Sequence, residues 1–461
     1  MENLIARRPR LLLIPLYFIS IILTGILLST GAVINNIVCP HLGGITLYST
    51  PAEIIECFGP MDIASYVRGA FALQEHGLKS FGILGFATWP PGFSFLELAL
   101  IQLDFVPLPL ALFFVNSTLW AIVFFQLYAL LTYFTEARIT YAVVLPLLLL
   151  LVPFVSGFYL WTGILMSEPI STALFMIAVL DLWRLILSKV KIRFGRAAIL
   201  GLLFALAAYL RAQFDLIIHA MAATAFFVLT GYYFYFMKTG EMSQRKSLVS
   251  LAKSLVVILL AFQVFIIPYK TYMVLHGHGI AMADVSYIFE RLWRDENWHA
   301  RNGAAFFSAG GGHSMCAISP LKCQVFEARR KRGETISLQE YRSAAFETAL
   351  TQPIALLNYK WSYLWKNWKL NDVGESSMFN TILFFLILTT ALIRIAQRGV
   401  HGLLESLFFL AICGGATIFS FIVHFEPRYL LLVKLFGAAW ALVAIADSRL
   451  ISLRSRTRLA N

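Results

Sequence analysis

"PPGFSFLELALIQL" (Pro90–Leu103) decides how many times this chain crosses a membrane. The segment is apolar, but at about 1.5 Å per residue it is too short to cross a hydrocarbon core of roughly 30 Å. Longer apolar runs surround it, at 11–35, 108–134, 140–157, 169–188, 197–211, 214–236, 249–270, 377–394, 403–423 and 429–447. Arg7, Arg8 and Arg10 place the N-terminus on the cytoplasmic side. If 90–103 does not cross, the basic short loops Glu136–Arg138, Lys189–Arg196, Lys238–Lys246, Arg394–Arg398 and Arg449–Arg458 all fall on that same side. If it crosses, the loops after it invert and Lys189–Arg196 lands outside. The first arrangement satisfies the positive-inside bias, so 90–103 reads as an interfacial or re-entrant helix on the outer face of a bundle of about ten spans.

Composition agrees. Of 461 residues, 59% are hydrophobic and 13% charged. That excludes an ordinary soluble domain and points to an all-α integral membrane protein. The net charge of +12 could indicate nucleic acid, but about half of the 37 Lys and Arg flank spans on one side, where they orient the chain in the bilayer, and another 12 lie in the long hydrophilic loop, which the orientation rule does not count. No nucleic-acid partner is expected; membrane lipids are. The N-terminal apolar run is longer than a signal-peptide core and is read as a retained span. Both termini are then cytoplasmic, in a multi-pass plasma (inner) membrane protein.

This topology divides the chain into a transmembrane module (1–270) with a first outer loop at 36–106, an extracytoplasmic subdomain at 271–379, and C-terminal spans with a cytoplasmic tail (380–461). Two of the five cysteines, Cys39 and Cys57, share the first loop, and Cys316 and Cys323 share the second. Each couple can form a disulfide if its loop faces an oxidising compartment, and free thiols are the other reading. Cys413 falls in a span. The sequon Asn116-Ser117-Thr118 also falls in a span and cannot be used for glycosylation. Trp361, Trp365 and Trp368 recur at helical spacing in "NYKWSYLWKNWKLND", predicting an amphipathic interfacial helix. "SAGGGHSMCAISPLKC" (Ser308–Cys323) lacks a phosphate-loop pattern. "ARRKRGE" (Ala328–Glu334) reads as a solvated turn. His276 and His278 have no acidic partners at ligand spacing.

The polar residues of the apolar regions collect on the outer side. Asp62 and Tyr66 follow the first span, and Glu168 opens the fourth. Arg211 and Asp215 sit at the turn between spans five and six, Lys270 ends span seven, and His424, Glu426 and Arg428 precede the last span. Ionisable groups at a membrane edge are functional candidates. Each has a structural reading as well. Glu168 can serve the helix dipole, Asp62 can cap a helix at 63–77, Arg211 can pair with Asp215, and Glu426 with Arg428 can anchor the interface. Two separate carboxylates and two separate arginines converging on one face favour a site.

These residues resemble the GT-C-fold membrane glycosyltransferases, in particular bacterial relatives of protein O-mannosyltransferases and lipid A aminoarabinose transferases. The likeness rests on Asp62-x-x-x-Tyr66-x-x-x-Ala70, "WPPG" (Trp89–Gly92), "SEP" at Ser167–Pro169, "LRAQ" at Leu210–Gln213, "EPRYLL" (Glu426–Leu431) and "QPIALLNYKWSYLWKNW", in that relation along nearly the whole chain. One departure is that Met61 and Ile63 flank a lone Asp62, where many relatives carry two adjacent acids; a single base is the simpler reading.

The resemblance implies a GT-C-like bundle with interfacial helices in its first loop. It implies transfer of a sugar from a polyprenyl-phosphate donor to a lipid, glycan or protein acceptor at the extracytoplasmic face, with inversion. Asp62 would be the base and Glu168 would orient acceptor or sugar. Tyr66, His424 and Glu426 would contact substrate. Arg428, with Arg211 or Lys270, would hold the phosphate. No cofactor is specified, no metal ligands are assigned, and a divalent metal stays open. The other classes weighed are a lipid or glycan transporter or flippase, and an O-antigen-type polymerase or ligase. Polar groups at outer ends, without a repeat, argue against the transporter.

Overall fold

The computed structural model describes residues 45–58, 62–82, 90–134, 167–187, 192–240, 242–276, 314–369, 378–399 and 431–447, with scattered positions between them. The expected span at 11–35 apart from Pro15 and Phe18, all of 140–157, about half of 403–423, the Gly-rich run 308–313, and Cys39 lie outside the described residues.

Among the described residues all regular structure is helical. The first loop forms α1 (Pro51–Phe58), α2 (Asp62–His76) and α3 (Gly92–Ile101). Then come α4 (Leu108–Phe134), α5 (Ser167–Leu187), α6 (Phe194–Leu210), α7 (Gln213–Thr239) and α8 (Met242–Leu275). The second loop folds into α9 (Ser314–Ile318), α10 (Pro320–Lys331), α11 (Leu338–Thr351) and α12 (Pro353–Lys369), followed by α13 (Met378–Arg398) and α14 (Leu431–Asp447). Five of these helices contain stretches long and apolar enough to cross a membrane: Leu108–Leu127, Ser167–Ile186, Gln213–Thr239, Leu248–Leu275 and Asn380–Gln397. Helices α6 and α14 are apolar but shorter, at 17 residues each. Helix α3, the segment on which the parity argument turned, has 10 residues and so extends about 15 Å, half a hydrocarbon core.

Helix α5 is the centre of the bundle. Its apolar window is 83% buried, against 28% for α7 and 22% for α8, which lie at the periphery. Small residues let neighbours close in. A methyl group on Gly201 of α6 would stand 2.4 Å from the Ile258 carbonyl oxygen of α8, so the two backbones touch only because that position is glycine. Bilayer-facing helices gain little from hydrophobic attraction between them, so such contact carries the packing. At the basic end, Asp181 of α5 accepts hydrogen bonds from Arg184 (2.9 Å) and from Arg196 Nε of α6 (2.9 Å). The carboxylate thus joins the two helices across the basic loop. Asn116 is fully buried, with its amide donating to the Leu112 carbonyl at 3.1 Å, in keeping with an unusable sequon.

The second loop has its own small core, in which Trp293, Met315, Phe326 and Tyr341 pack together with the Cys316–Cys323 disulfide. Cys57 of the first loop is also disulfide-bonded. A capping box starts α11: the Ser337 hydroxyl accepts from the Glu340 amide at 3.2 Å, and the Ser337 amide donates to Glu340 Oε2 at 2.8 Å. Arg329 donates to both Glu340 and Glu334, so the charge run at Ala328–Glu334 ties α10 to α11 as well as meeting solvent. The Arg329 guanidinium, helped by Ser337, holds the Glu340 carboxyl down at about 2. The tryptophans of α12 divide their work. Trp361 is exposed, whereas Trp368 is buried and donates to the Asn380 carbonyl of α13 at 2.6 Å.

Candidate functional site

The ends of four helices, α2, α3, α5 and α6, meet where the first loop joins the bundle. Helix α2 packs along α3 because Phe93 of α3 sets its ring edge-on against Tyr66 at 5.0 Å, and the Ser94 hydroxyl donates to the Tyr66 carbonyl at 2.9 Å. Gly92 makes the corner: a methyl group there would stand 2.5 Å from the Tyr209 carbonyl oxygen near the end of α6. Tyr66 is thereby buried, and its hydroxyl lies 3.3 Å from the Ser167 hydroxyl at the start of α5.

Ser167 passes the contact on, donating to Glu168 Oε2 at 3.3 Å. Glu168 occupies the first turn of α5, where the helix dipole favours a carboxylate. Its other oxygen, Oε1, lies 2.6 Å from Arg211 Nη1 in an ion pair, with the two side chains 2% and 6% exposed. Arg211 can reach it because α6 stops there. Its backbone turns extended (φ −154°, ψ 120°), and only Arg211 and Ala212 separate α6 from α7. Glu168 therefore serves the helix start and also joins α5 to the α6–α7 corner.

A second cluster begins in the first turn of α7. Asp215 Oδ2 is 2.8 Å from Lys270 Nζ of α8, and Asp215 Oδ1 is 3.2 Å from His219 Nδ1. His219 Nε2 lies 2.9 Å from Gln263 Nε2. The expected pairing of Arg211 with Asp215 across the turn gives way to two longer-range pairs, Arg211 with Glu168 and Asp215 with Lys270. The break at Arg211 explains this, because the spacing of four that aligns side chains holds only within a continuous helix.

Of the residues expected at the site, Tyr66, Glu168 and Arg211 come together, and Lys270 joins the adjoining cluster through Asp215. Asp62 opens α2 one helical turn before Tyr66, which places both positions on the same helix face; its side chain lies outside the described residues. His424, Glu426 and Arg428 also lie outside them. Among the described residues, no three His, Cys, Asp or Glu side chains gather as a cation cage.

Four contributors were missed in the sequence. Ser167, His219 and Gln263 are ordinary polar residues whose importance comes only from what they touch. Glu97 did carry a signal, as the one charged residue within Pro90–Leu103. It is fully buried in α3, and neither carboxyl oxygen has a hydrogen-bond partner among the described residues. Burial pushes its carboxyl well above the usual carboxylate range. It shares a face with Phe93, four residues before it, and hence belongs to the packing behind Tyr66.

No protein-family model matches the chain, and no curated protein matches it either.

Proposed function

We infer that this protein is a membrane glycosyltransferase of GT-C type, moving a sugar from a polyprenyl-phosphate donor to a lipid, glycan or protein acceptor at the extracytoplasmic face. The observation that supports it best is the buried chain Tyr66–Ser167–Glu168–Arg211. It joins the first-loop helix that begins at Asp62 to the SEP helix and to the LRAQ corner. Those are three of the six segments on which the resemblance rests, and they are far apart in sequence.

The chemistry asks for a base near the acceptor and positive charge near the departing phosphate. In this reading Asp62 takes the acceptor proton as the hydroxyl oxygen attacks the anomeric carbon, and polyprenyl phosphate leaves from the opposite side. Glu168, neutralised by Arg211, is a positioning residue that fixes the helix ends around Tyr66. Lys270 keeps an anionic partner in Asp215 and can share its charge with a donor phosphate. Arg428 is the other cation assigned to the phosphate, and His424 and Glu426 are assigned to substrate.

The test uses the full chain in lipid vesicles with a panel of polyprenyl-phosphate sugars, reading release of polyprenyl phosphate and sugar transfer. Sugar-dependent release by the parent protein, lost in Asp62→Asn with folding retained, supports the assignment. Movement of intact lipid or glycan across the vesicle wall without release would support the transporter reading in its place.

A further inference from the structure

An apolar groove of about 440 Å³ runs between α7 and α8, with Leu182 of α5 and Phe204 of α6 forming its floor, and one end abuts the second cluster, where Phe262 of its lining packs edge-on to the His219 ring at 5.7 Å. The sequence makes room for it. Ala222 and Ala225 on α7 and Ala252 on α8 line it where larger side chains would close it. Along α7 it extends from Ile218 to Phe234, about 24 Å at the rise of an α-helix, so it is long and narrow. It lies between the two least buried of the candidate membrane helices, which leaves it accessible from the bilayer.

The groove ends near the turn that joins the helices, where Gly240 takes a left-handed conformation (φ +74°). There a charge meets the apolar lining. Tyr233 lines the groove, Arg245 places its guanidinium 4.7 Å above the Tyr233 ring, and the same guanidinium donates to the Tyr233 hydroxyl. Arg245 is half-buried, and among the described residues no carboxylate pairs with it. Lys238 and Lys246 flank the same turn and are exposed. The one acid in the turn, Glu241, lies outside the described residues.

We propose that this groove binds one anionic glycerophospholipid, with an acyl chain between α7 and α8 and its phosphate on Arg245. The charge pattern selects this occupant. A long apolar slot accepts any chain, but a half-buried guanidinium at its mouth, beside exposed lysines at the turn, favours a headgroup with net negative charge. The site is independent of the transferase reading, because it involves none of Asp62, Glu168, Arg211 or Lys270.

The experiment is native mass spectrometry of the full chain with equal amounts of phosphatidylglycerol and phosphatidylcholine of identical acyl composition. One phosphatidylglycerol should be retained in preference, and Arg245→Gln should reduce that preference about fivefold. Ala225→Trp, which fills the slot with the guanidinium intact, should lower retention of phosphatidylglycerol as well. If it fails to fold, Phe226→Trp on the groove wall gives a second reading. Phosphatidylglycerol brominated on its acyl chain should quench the new indole more than brominated phosphatidylcholine does. Equal retention of the two lipids, or an Arg245→Gln protein that keeps the full preference, would overturn the proposal. So would retention unaffected by the filled groove.

Discussion

Glu168 and Arg211 form a buried ion pair at 2.6 Å that connects the start of α5 to the corner between α6 and α7. Two charges withdrawn from water cost several kcal/mol each, and their mutual attraction offsets this only while both are present. The pair is better understood as a fastening between helix ends than as a source of net stability.

Breaking that fastening from one side should therefore cost more than removing it. Glu168→Gln or Arg211→Met alone is expected to destabilise by about 3–5 kcal/mol, and the double substitution by less than the sum of the two. Thermal unfolding of the purified variants in one detergent, arranged as a double-mutant cycle, measures the coupling.

Tyr66 makes separable contributions through its hydroxyl and its ring. Tyr66→Phe removes the 3.3 Å contact with Ser167 but keeps the packing on Phe93, and should cost about 1 kcal/mol. Tyr66→Ala removes both and should cost about 3–5 kcal/mol. Under the transferase reading, Tyr66→Phe should retain measurable transfer, which the polyprenyl-phosphate release assay reads.

Glu97 gives the protein a pH dependence of definite sign. Its folded carboxyl is raised above the usual value of 4.5, so the folded state holds a proton that the unfolded state gives up. The resulting stability is fully present below about 4.5 and falls as pH rises toward the folded value. Glu97→Gln keeps the shape and removes the titration. Melting temperature followed from pH 4 to 8 should decline more steeply for the parent than for the variant.

Lys360, on α12, works in the opposite direction. Burial lowers its ammonium from 10.5 to about 7. Between those values the unfolded chain binds a proton that the folded chain does not, so stability falls as pH drops from 10.5 to 7 and levels off below. Lys360→Met should raise the melting temperature at pH 7, and the gain should shrink as the pH is raised toward 10.5.

The sequence revealed the helical membrane architecture because apolar length and charge placement are properties of the chain itself. Pro90–Leu103 was legibly too short to span, and α3 has 10 residues. The helix at Ser167 and the break at Arg211 were visible as a "SEP" start and a polar interruption. What could not be read was partner choice. Arg211 and Asp215 are four apart, and only the extended backbone at Arg211 directs one to Glu168 and the other to Lys270. Likewise, nothing local in the sequence marks Ser167 as the link to Tyr66, or Gln263 as the partner of His219; those contacts are made by helix packing. Glu97 was visible as a charge in an apolar helix but gained meaning only when its burial was known.

Release of polyprenyl phosphate from a polyprenyl-phosphate sugar, measured with the full chain in vesicles for the parent and Asp62→Asn, tests the functional account most directly. The account predicts sugar-dependent release by the parent and a loss of at least about a hundredfold in the variant at unchanged melting temperature, the range expected when a positioned base is removed. Release at the parent rate by a folded Asp62→Asn protein would contradict it.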